Sequence, residues 1–224
     1  MESRPSPKPV HGRGAQSAAV PQRFGLATRE QDGDWRDAEG LVDGPQAKLR
    51  TTVTEEHPRT ILSFNQSPDI PFDRSINAYR GCEHGCIYCF ARPSHAWHDL
   101  SPGLDFETKL FAKPNAAALL REALAKPSYR VAPIAMGTNT DPYQPIESRY
   151  RITRSILELC LETRHPVLIT TKSDRVLRDL DLLAELAKAR LASVAISVTS
   201  LDARLSATLE PRAAAPEKRL AALG

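Results

Sequence analysis

Three of the four cysteines in this chain lie within eight residues. Cys82, Cys86 and Cys89 form the spacing C-x3-C-x2-C inside the segment GCEHGCIYCF. Thiolates bind soft or borderline metals, chiefly zinc and iron–sulfur clusters. A closed structural zinc site needs four ligands, and this segment offers only three thiols. The spacing therefore predicts a metal centre whose fourth ligand comes from elsewhere.

Two kinds of centre fit this segment. A zinc site could take its fourth ligand from His84, His95 or His98, although zinc ligands usually come as two separated pairs. A cuboidal 4Fe–4S cluster matches three thiols on one tight loop better, because each thiolate takes a different iron. Gly81 and Gly85 would let the backbone fold around such an object. The cysteines favour the cluster and leave zinc as the alternative.

The composition is that of an ordinary globular protein, with 41% hydrophobic and 25% charged residues among 224. No apolar run is long enough for a transmembrane helix, so no membrane partner is expected. The start of the sequence lacks the apolar stretch of a secretory signal, and clustered cysteines do not resemble a disulfide scaffold. These features predict a cytoplasmic protein. The net charge of +3 is too small to indicate nucleic acid by itself.

The order of elements predicts three regions. Residues 1–50, rich in Pro, Gly, Ser and Arg, are expected to be a disordered tail. Residues 51–74 are expected to be an extended lead-in rather than a strand pair. Residues 75–224 form the regular part, where apolar strands alternate with amphipathic helices. Strands are predicted at 75–80, 129–138, 166–173 and 192–200, and helices after the candidate N-cap Asn115, at 150–164, at 175–190 and from 216 onward.

This alternation predicts an α/β fold with a parallel sheet covered by helices. Each predicted strand runs into a polar segment, respectively GCEHGCIYC, GTNTDPYQPIE, TTKSD and SVTSLD. A (β/α) barrel gathers all its strand ends around one mouth, whereas an open sheet spreads them along an edge. Four polar strand ends in succession therefore favour a barrel.

The cysteine segment resembles the signature of the radical S-adenosylmethionine (radical SAM) superfamily, with Tyr88 in the aromatic position before the last cysteine. The segments NAYRGCEHGCIYCFARPSH, GTNTDPYQPIE, ITTKS and SVTSLD with LEPRAAAP resemble its spore photoproduct lyase-related branch. The resemblance runs from about Ile61 to the last residue. It implies a partial (β/α) barrel and a 4Fe–4S cluster whose fourth iron is left for S-adenosylmethionine.

The resemblance also implies an activity. The cluster would reductively cleave S-adenosylmethionine to a 5′-deoxyadenosyl radical, which abstracts hydrogen from an unknown substrate. An electron donor such as flavodoxin or ferredoxin would be the partner. The alternative is a non-catalytic metal-binding module. Spore photoproduct lyase uses a further cysteine near the end of its barrel, and no counterpart is present, because Cys160 falls on the apolar face of a predicted helix. DNA repair is therefore not implied. The resemblance keeps nucleic acid as one candidate substrate, although no residue pattern here indicates that bases are read.

The resemblance further implies cofactor contacts at the strand ends. Tyr88 belongs to the cysteine motif, and the segment after the second strand would contact the methionine amino group. Lys172 would hold a carboxylate or a substrate group, the fourth strand would bind the ribose, and LEPRAAAP would supply a charged clamp. The cofactor-binding candidates are Tyr88, Thr138, Asn139, Asp141, Lys172, Ser197, Thr199, Glu210 and Arg212.

Each candidate also has an ordinary structural reading. Asn, Asp and Pro after the second strand build turns, and hydroxyl groups such as those of Ser197 and Thr199 can bond the backbone. Glu147 could belong to the site or cap the next helix. Arg80 could neutralise the charge of the cluster or simply end a strand.

The length of the regular part raises a further expectation. From Ser75 to Gly224 we count four predicted strands, whereas a full eight-unit barrel takes roughly 250 residues. Radical SAM cores resemble a six-unit partial barrel. We therefore expect a core truncated after the fourth strand, which would leave that strand as an unpaired edge.

Overall fold

A computed structural model describes residues 50–224, so the predicted disordered tail lies outside the described residues apart from Arg50. Eight strands follow one another as β1 (Thr52–Glu55), β2 (Leu62–Phe64), β3 (Arg74–Ile76), β4 (Tyr79–Arg80), β5 (Lys109–Ala112), β6 (Ile134–Met136), β7 (Val167–Thr171) and β8 (Ala192–Ile196). The helices are α1 (Leu104–Thr108), α2 (Ala116–Leu124), α3 (Glu147–Tyr150), α4 (Ile152–Glu162), α5 (Leu180–Lys188), α6 (Ala203–Leu209) and α7 (Pro216–Ala221), with 3₁₀ helices at Arg92–His98 and Asp174–Asp179.

The larger sheet has five strands in the order β2-β3-β6-β7-β8. Strands β3, β6, β7 and β8 are parallel and lie side by side in chain order, as the alternation of strands and helices predicted. Strand β2 is antiparallel to β3. All three residues of β6 are buried because both faces of the sheet are covered.

A smaller sheet, in the order β1-β5-β4, was not predicted. Strand β1 runs parallel to β5, and β4 runs antiparallel to it. The strand predicted at 75–80 is therefore divided, because Tyr79 and Arg80 pair with β5 and leave the larger sheet. The segment 51–74 is more than a lead-in, since it supplies β1 to one sheet and β2 to the other.

Three predicted strands are shorter than expected, and the one predicted at 166–173 is confined to Val167–Thr171. The strand predicted at 129–138 is confined to Ile134–Met136, and the one predicted at 192–200 ends at Ile196. After Ile196 one backbone bond continues, from the Ser197 amide to the Thr171 carbonyl, before the chain leaves the sheet. The polar residues that follow each strand are thus loop residues.

The core lies between the larger sheet and helices α2, α4 and α5, which contribute Leu120, Ile156 and Leu186 among others. Cys160 is fully buried in this core, which confirms the expectation of a packing role. The helix predicted at 150–164 is interrupted at Arg151, whose φ of 52° separates α3 from α4. Asn115 occupies the N-cap position of α2, but its side chain makes no capping bond.

Within residues 50–224 the five-stranded sheet is open, with β2 and β8 as its outer strands. The α/β class is confirmed, with mixed rather than purely parallel sheets. The partial barrel and its truncation stay predictions. In the same range, no helix combines the length and the apolar character needed to cross a membrane.

Candidate metal and cofactor site

The three clustered cysteines line one cavity at the carboxyl ends of the parallel strands. We call it the site cavity; its other walls are residues 137–141 after β6, residues 170–172 at the end of β7, and Ser197 after β8. The polar strand ends therefore converge as the sequence predicted. Five of the nine cofactor candidates line this cavity, namely Thr138, Asn139, Asp141, Lys172 and Ser197.

The cysteine loop, residues 81–91, depends on two glycines with left-handed backbone. Gly81 and Gly85 have φ values of 72° and 68°, a region that favours glycine. A Cβ atom on Gly81 would lie 2.7 Å from the Phe106 carbonyl oxygen and 2.6 Å from Cδ2 of Leu110. The turn that directs the chain from β4 into the cysteines is therefore closed to any larger residue.

Buried hydrogen bonds from the β6–α3 segment fix the start of the cysteine loop. Gln144 donates from Nε2 to the Gly81 carbonyl at 3.1 Å and accepts at Oε1 from the Glu83 amide at 3.1 Å. Thr140 donates to the same Gly81 carbonyl at 2.7 Å. Sequence reasoning missed both residues, although they stand in the segment GTNTDPYQPIE that it singled out.

Arg92 fixes the middle of the loop. Its Nε and Nη2 donate to the Cys86 carbonyl at 3.0 and 2.8 Å, and Nη2 also pairs with Glu107 at 2.7 Å. Glu107 is fully buried, so the guanidinium is held by a fixed charge. Arg92 was also missed, and only its place in the motif CFARPSH could have indicated it.

The thiols of the cysteine loop are buried or half-buried, and they lie close enough for one to change the pKa of another. Burial and then nearby Cys82 raise the pKa of Cys86 to about 12, with Lys172 opposing them. Burial also raises the pKa of Cys89. Because only thiolates ligate metal, a positively charged centre would have to offset this effect, and metal binding would release protons. The set of three soft donors around one cavity fits an iron–sulfur cluster.

Asp141 joins the ends of two strands at the cavity wall. Its carboxylate accepts from Thr171 Oγ1 at 2.6 Å, from the Lys172 amide at 2.7 Å and from the Tyr143 amide at 2.8 Å. Nδ1 of buried His84 lies 3.4 Å from Oδ2. Burial raises the pKa of Asp141, but His84 and these hydrogen bonds outweigh it and lower the pKa overall. The Asp141 carboxylate is therefore ionised, and its oxygens already accept three hydrogen bonds.

Thr138 and Asn139 are positioned by Asn77, which follows β3. The Asn77 amide group donates to Thr138 Oγ1 at 2.8 Å, and its Oδ1 accepts from the Asn139 backbone amide at 2.9 Å. The Asn139 residue is exposed to the cavity side of the loop. The sequence did not indicate Asn77.

A second group of candidates lies beside the cavity and is built around Glu210. The buried Glu210 carboxylate accepts from Tyr88 Oη and, at 2.6 Å, from Thr199 Oγ1. Its Oε2 lies 2.6 Å from Nη2 of Arg219, a fully buried arginine of α7 that the sequence did not indicate. Lys172 Nζ lies 5.8 Å from the Tyr88 ring centroid, which links this group to the cavity.

Arg212 contacts the cysteine loop directly. Its Nη1 lies 2.8 Å from Glu83 Oε1, and its backbone amide donates to the His84 carbonyl at 3.1 Å. The Ile87 amide likewise donates to the Leu209 carbonyl at 3.0 Å. The two charged residues of LEPRAAAP have different partners, since Arg212 pairs with Glu83 and Glu210 pairs with Arg219, and the charged clamp stays a prediction.

Of the three histidines considered for zinc, His84 lines the site cavity with the cysteines, whereas His95 and His98 do not. His95 is buried against Phe106 and lies 2.8 Å from the Lys109 carbonyl through Nε2, and His98 packs on Phe111. Among residues 50–224, no group of three or more His, Cys, Asp or Glu side chains is arranged to hold a single metal ion. Ligands of a cuboidal cluster bind separate irons and need not converge on one point.

A larger cavity of about 540 Å³ lies at the opposite end of the sheet, where Arg74 is flanked by Phe64 and Tyr129. None of the cysteines and none of the nine cofactor candidates lines it. The side chains that line each cavity, rather than the cavity volumes, therefore identify the candidate site.

Comparison with known proteins agrees with this geometry. The sequence profile described as the radical SAM superfamily matches residues 76–224. An uncharacterised protein of Mycobacterium tuberculosis is 40% identical over 185 residues, which are 81% of this chain and 54% of that protein. An uncharacterised protein of Methanocaldococcus jannaschii is 32% identical over 148 residues, which are 66% of this chain and 52% of that protein.

A solved structure has a similar fold. A cysteine-to-serine mutant of spore photoproduct lyase superposes with a TM-score of 0.52 at 18% identity, covering 90% of this chain and 52% of that chain. At this identity the likeness concerns the fold alone. The chain spans about half the length of the curated relatives it matches.

Proposed function

The chain belongs to the radical SAM superfamily, and on that premise we propose that Cys82, Cys86 and Cys89 hold a 4Fe–4S cluster that binds S-adenosylmethionine. The observation that carries the proposal is that the three thiols line one cavity with the ends of β6 and β7. When bound, the cluster and its cofactor supply one-electron reductive cleavage of S-adenosylmethionine, and thereby hydrogen abstraction from a substrate. The chain would thus be a radical SAM enzyme whose substrate is unassigned.

The side chains of the cavity would bind and orient the cofactor. Thr138 and Asn139, held by Asn77, offer polar groups to the amino end of the methionine moiety. Asp141 would act chiefly by fastening the β6 and β7 loops together, because its oxygens already accept three hydrogen bonds. Its negative charge would still favour a nearby ammonium group.

The remaining candidates would act on the other parts of the cofactor. Lys172 is a cation beside the thiols and would hold a carboxylate, while Ser197 would donate to a ribose hydroxyl. Tyr88, Thr199 and Glu210 would form the adenosyl side, with Glu210 fixing the orientation of the Tyr88 ring. Arg212 would keep the cysteine loop in place through Glu83.

Two further parts of the proposal follow from the chemistry. Reduction of the cluster requires a low-potential electron donor such as flavodoxin or ferredoxin. The four cysteines are all free thiols, which supports a reducing compartment such as the cytoplasm. A nucleic-acid substrate is not part of this proposal.

The test is anaerobic reconstitution with iron and sulfide, followed by reduction in the presence of S-adenosylmethionine. We expect a brown protein that forms 5′-deoxyadenosine and methionine without added substrate. A colourless protein that retains zinc and leaves S-adenosylmethionine intact would support the non-catalytic alternative. If the cofactor bound without changing the electron paramagnetic resonance spectrum of the reduced cluster, direct ligation to the cluster would be wrong.

A further inference from the structure

A second polar cleft borders the site cavity. It lies between residues 58–63 and the β3–β4 segment, has a volume of about 310 Å³, and is lined by Arg59, Asn77, Arg80, Lys113 and Asn139 among others. Asn139 lines both this cleft and the site cavity. Gly81, immediately before Cys82, also lines the cleft. A molecule bound here would therefore lie next to the proposed cofactor position.

Lys113 is the unusual residue of this cleft. Only 9% of its surface is exposed, and its ammonium group donates to the Asn77 carbonyl at 2.9 Å. Within the described part of the chain, no carboxylate oxygen lies within 4 Å of its Nζ. A buried ammonium without a counter-charge is costly. Burial and then the nearby Arg80 lower the pKa of Lys113 to about 8, with Glu56 opposing them.

The surrounding charges leave the cleft positive. Arg80 is paired with Glu56 through two hydrogen bonds of 2.8 and 2.9 Å, so that pair is neutral. Lys113 and the exposed Arg59 then remain as two positive charges along the same cleft. His98, which is near Arg80, adds no fixed charge because burial lowers its pKa.

We propose that this Lys113 cleft binds a phosphate group of the substrate. Two uncompensated cations match the charge of a phosphate better than that of a single carboxylate, and ammonium and guanidinium groups are effective phosphate donors. The inference rests on the proposed function, because it places the rest of the substrate beside the cofactor. It also gives the buried charge of Lys113 the counter-charge that the described chain does not supply.

The test measures the binding of inorganic phosphate to the full chain by titration calorimetry in a phosphate-free buffer of low ionic strength. Lys113→Met keeps most of the bulk and removes the charge, and it should weaken phosphate binding about tenfold to hundredfold, as expected for charged hydrogen bonds. The matched control is Lys109→Met at the start of β5, the strand that Lys113 directly follows. Lys109 is half exposed and paired with Asp105, so this change should leave binding unaltered. Lys113→Arg should retain most of the affinity.

A second variant keeps the test decisive if Lys113→Met fails to fold. Arg59→Ala changes an exposed residue and should fold normally, and we expect it to weaken phosphate binding severalfold. Equal affinity in wild type, Lys113→Met and Arg59→Ala would overturn the inference. Acetate binding as tightly as phosphate would also overturn it, because the cleft would then be a carboxylate site.

Cofactor competition separates this inference from the proposed function. Phosphate binding should persist in reconstituted protein saturated with S-adenosylmethionine. If S-adenosylmethionine displaced phosphate, the cleft would hold the cofactor instead and the inference would be wrong. Cleavage of S-adenosylmethionine by a protein that does not bind phosphate would refute only the cleft. Phosphate binding without cofactor cleavage would refute only the proposed function.

Discussion

At the residue scale, single thiol replacements distinguish ligands from packing residues. Cys82→Ala, Cys86→Ala and Cys89→Ala should each abolish cluster retention and cofactor cleavage, because each removes one of the three proposed ligands. Cys160→Ala should keep both and cost only about 1 kcal/mol of stability, since that thiol packs in the core. Iron and sulfide analysis of the reconstituted variants measures the outcome. Loss of iron from the Cys160 variant alone would show that the ligand assignment is wrong.

Glu210 provides a pH-dependent prediction. Burial raises the pKa of this carboxyl, but bonds from Thr199 and Tyr88 and the contact with Arg219 outweigh burial and lower the pKa below its ordinary value of 4.5. As the pH falls, the unfolded chain therefore takes up this proton before the folded chain does. The stabilisation from Glu210 is present above about pH 4.5 and is lost as the pH falls through the folded-state pKa.

Urea denaturation at pH 7 and pH 4 measures this effect. Wild type should lose more stability between the two values than Glu210→Gln, which cannot titrate. Glu185→Gln removes an exposed carboxylate of α5 and should behave like wild type. An identical pH response in wild type and Glu210→Gln would show that Glu210 does not contribute in this way.

Sequence patterns identified residues that line the site cavity better than the residues that hold them in place. Cysteine spacing and polar strand ends are local patterns, and they led directly to Cys82 and Asp141. Gln144, Arg92 and Arg219 were missed because their partners are backbone groups or buried carboxylates at spacings that follow neither a helix nor a strand period. Such partners leave no periodic pattern, so nothing local separates a buried structural arginine from a surface one.

At the scale of elements, the turn between β4 and the cysteines should tolerate glycine alone. Gly81→Ala combines a positive φ with a 2.7 Å approach to the Phe106 carbonyl, so we expect a loss of roughly 1–3 kcal/mol and poor cluster incorporation. Gly224→Ala, which meets nothing within 4 Å, is the control. Thermal melts and iron content report the result, and wild-type behaviour of the Gly81 variant would contradict the described turn.

The loop after β6 should be equally important. Gln144→Ala removes a fully buried side chain and leaves the Glu83 amide without its Gln144 partner, at a cost of about 1–3 kcal/mol. The Ser148→Ala variant on the adjacent helix α3 removes an exposed side-chain bond and should be nearly neutral. We expect slower and less complete cluster reconstitution only for Gln144→Ala, followed by absorbance in the visible range.

Element order was predictable, whereas element pairing was only partly so. Continuous apolar runs such as Val167–Thr171 revealed the parallel strands and their sequence of neighbours. The smaller sheet escaped prediction because β1 and β5 are 57 residues apart in chain position, with Thr52 paired to Lys109, and strands of four residues carry little pattern. Strand ends were overestimated because β-branched residues continue past Ile196 into the loop.

At the scale of the molecule, β8 is an outer strand of the described sheet and has exposed residues at Ser193 and Ala195. An open edge can pair with another chain, so we expect the 224-residue chain to self-associate at high concentration. Ser193→Lys with Ala195→Lys should reduce light scattering, because charged edges disfavour such pairing. A chain that stays monomeric with an unpaired edge at all concentrations would refute this prediction.

The contacts of Arg212 and Arg219 have a consequence for biosynthesis. Arg212 pairs with Glu83 across 129 positions of the chain, and Arg219 reaches Glu210 from the last helix. During translation the three thiols therefore leave the ribosome before the residues that hold their loop in place have been synthesised. During that interval the thiols are exposed to oxidants and to adventitious metals. Delivery of the proposed iron–sulfur cluster should accordingly follow, rather than accompany, translation of Arg212 and Arg219.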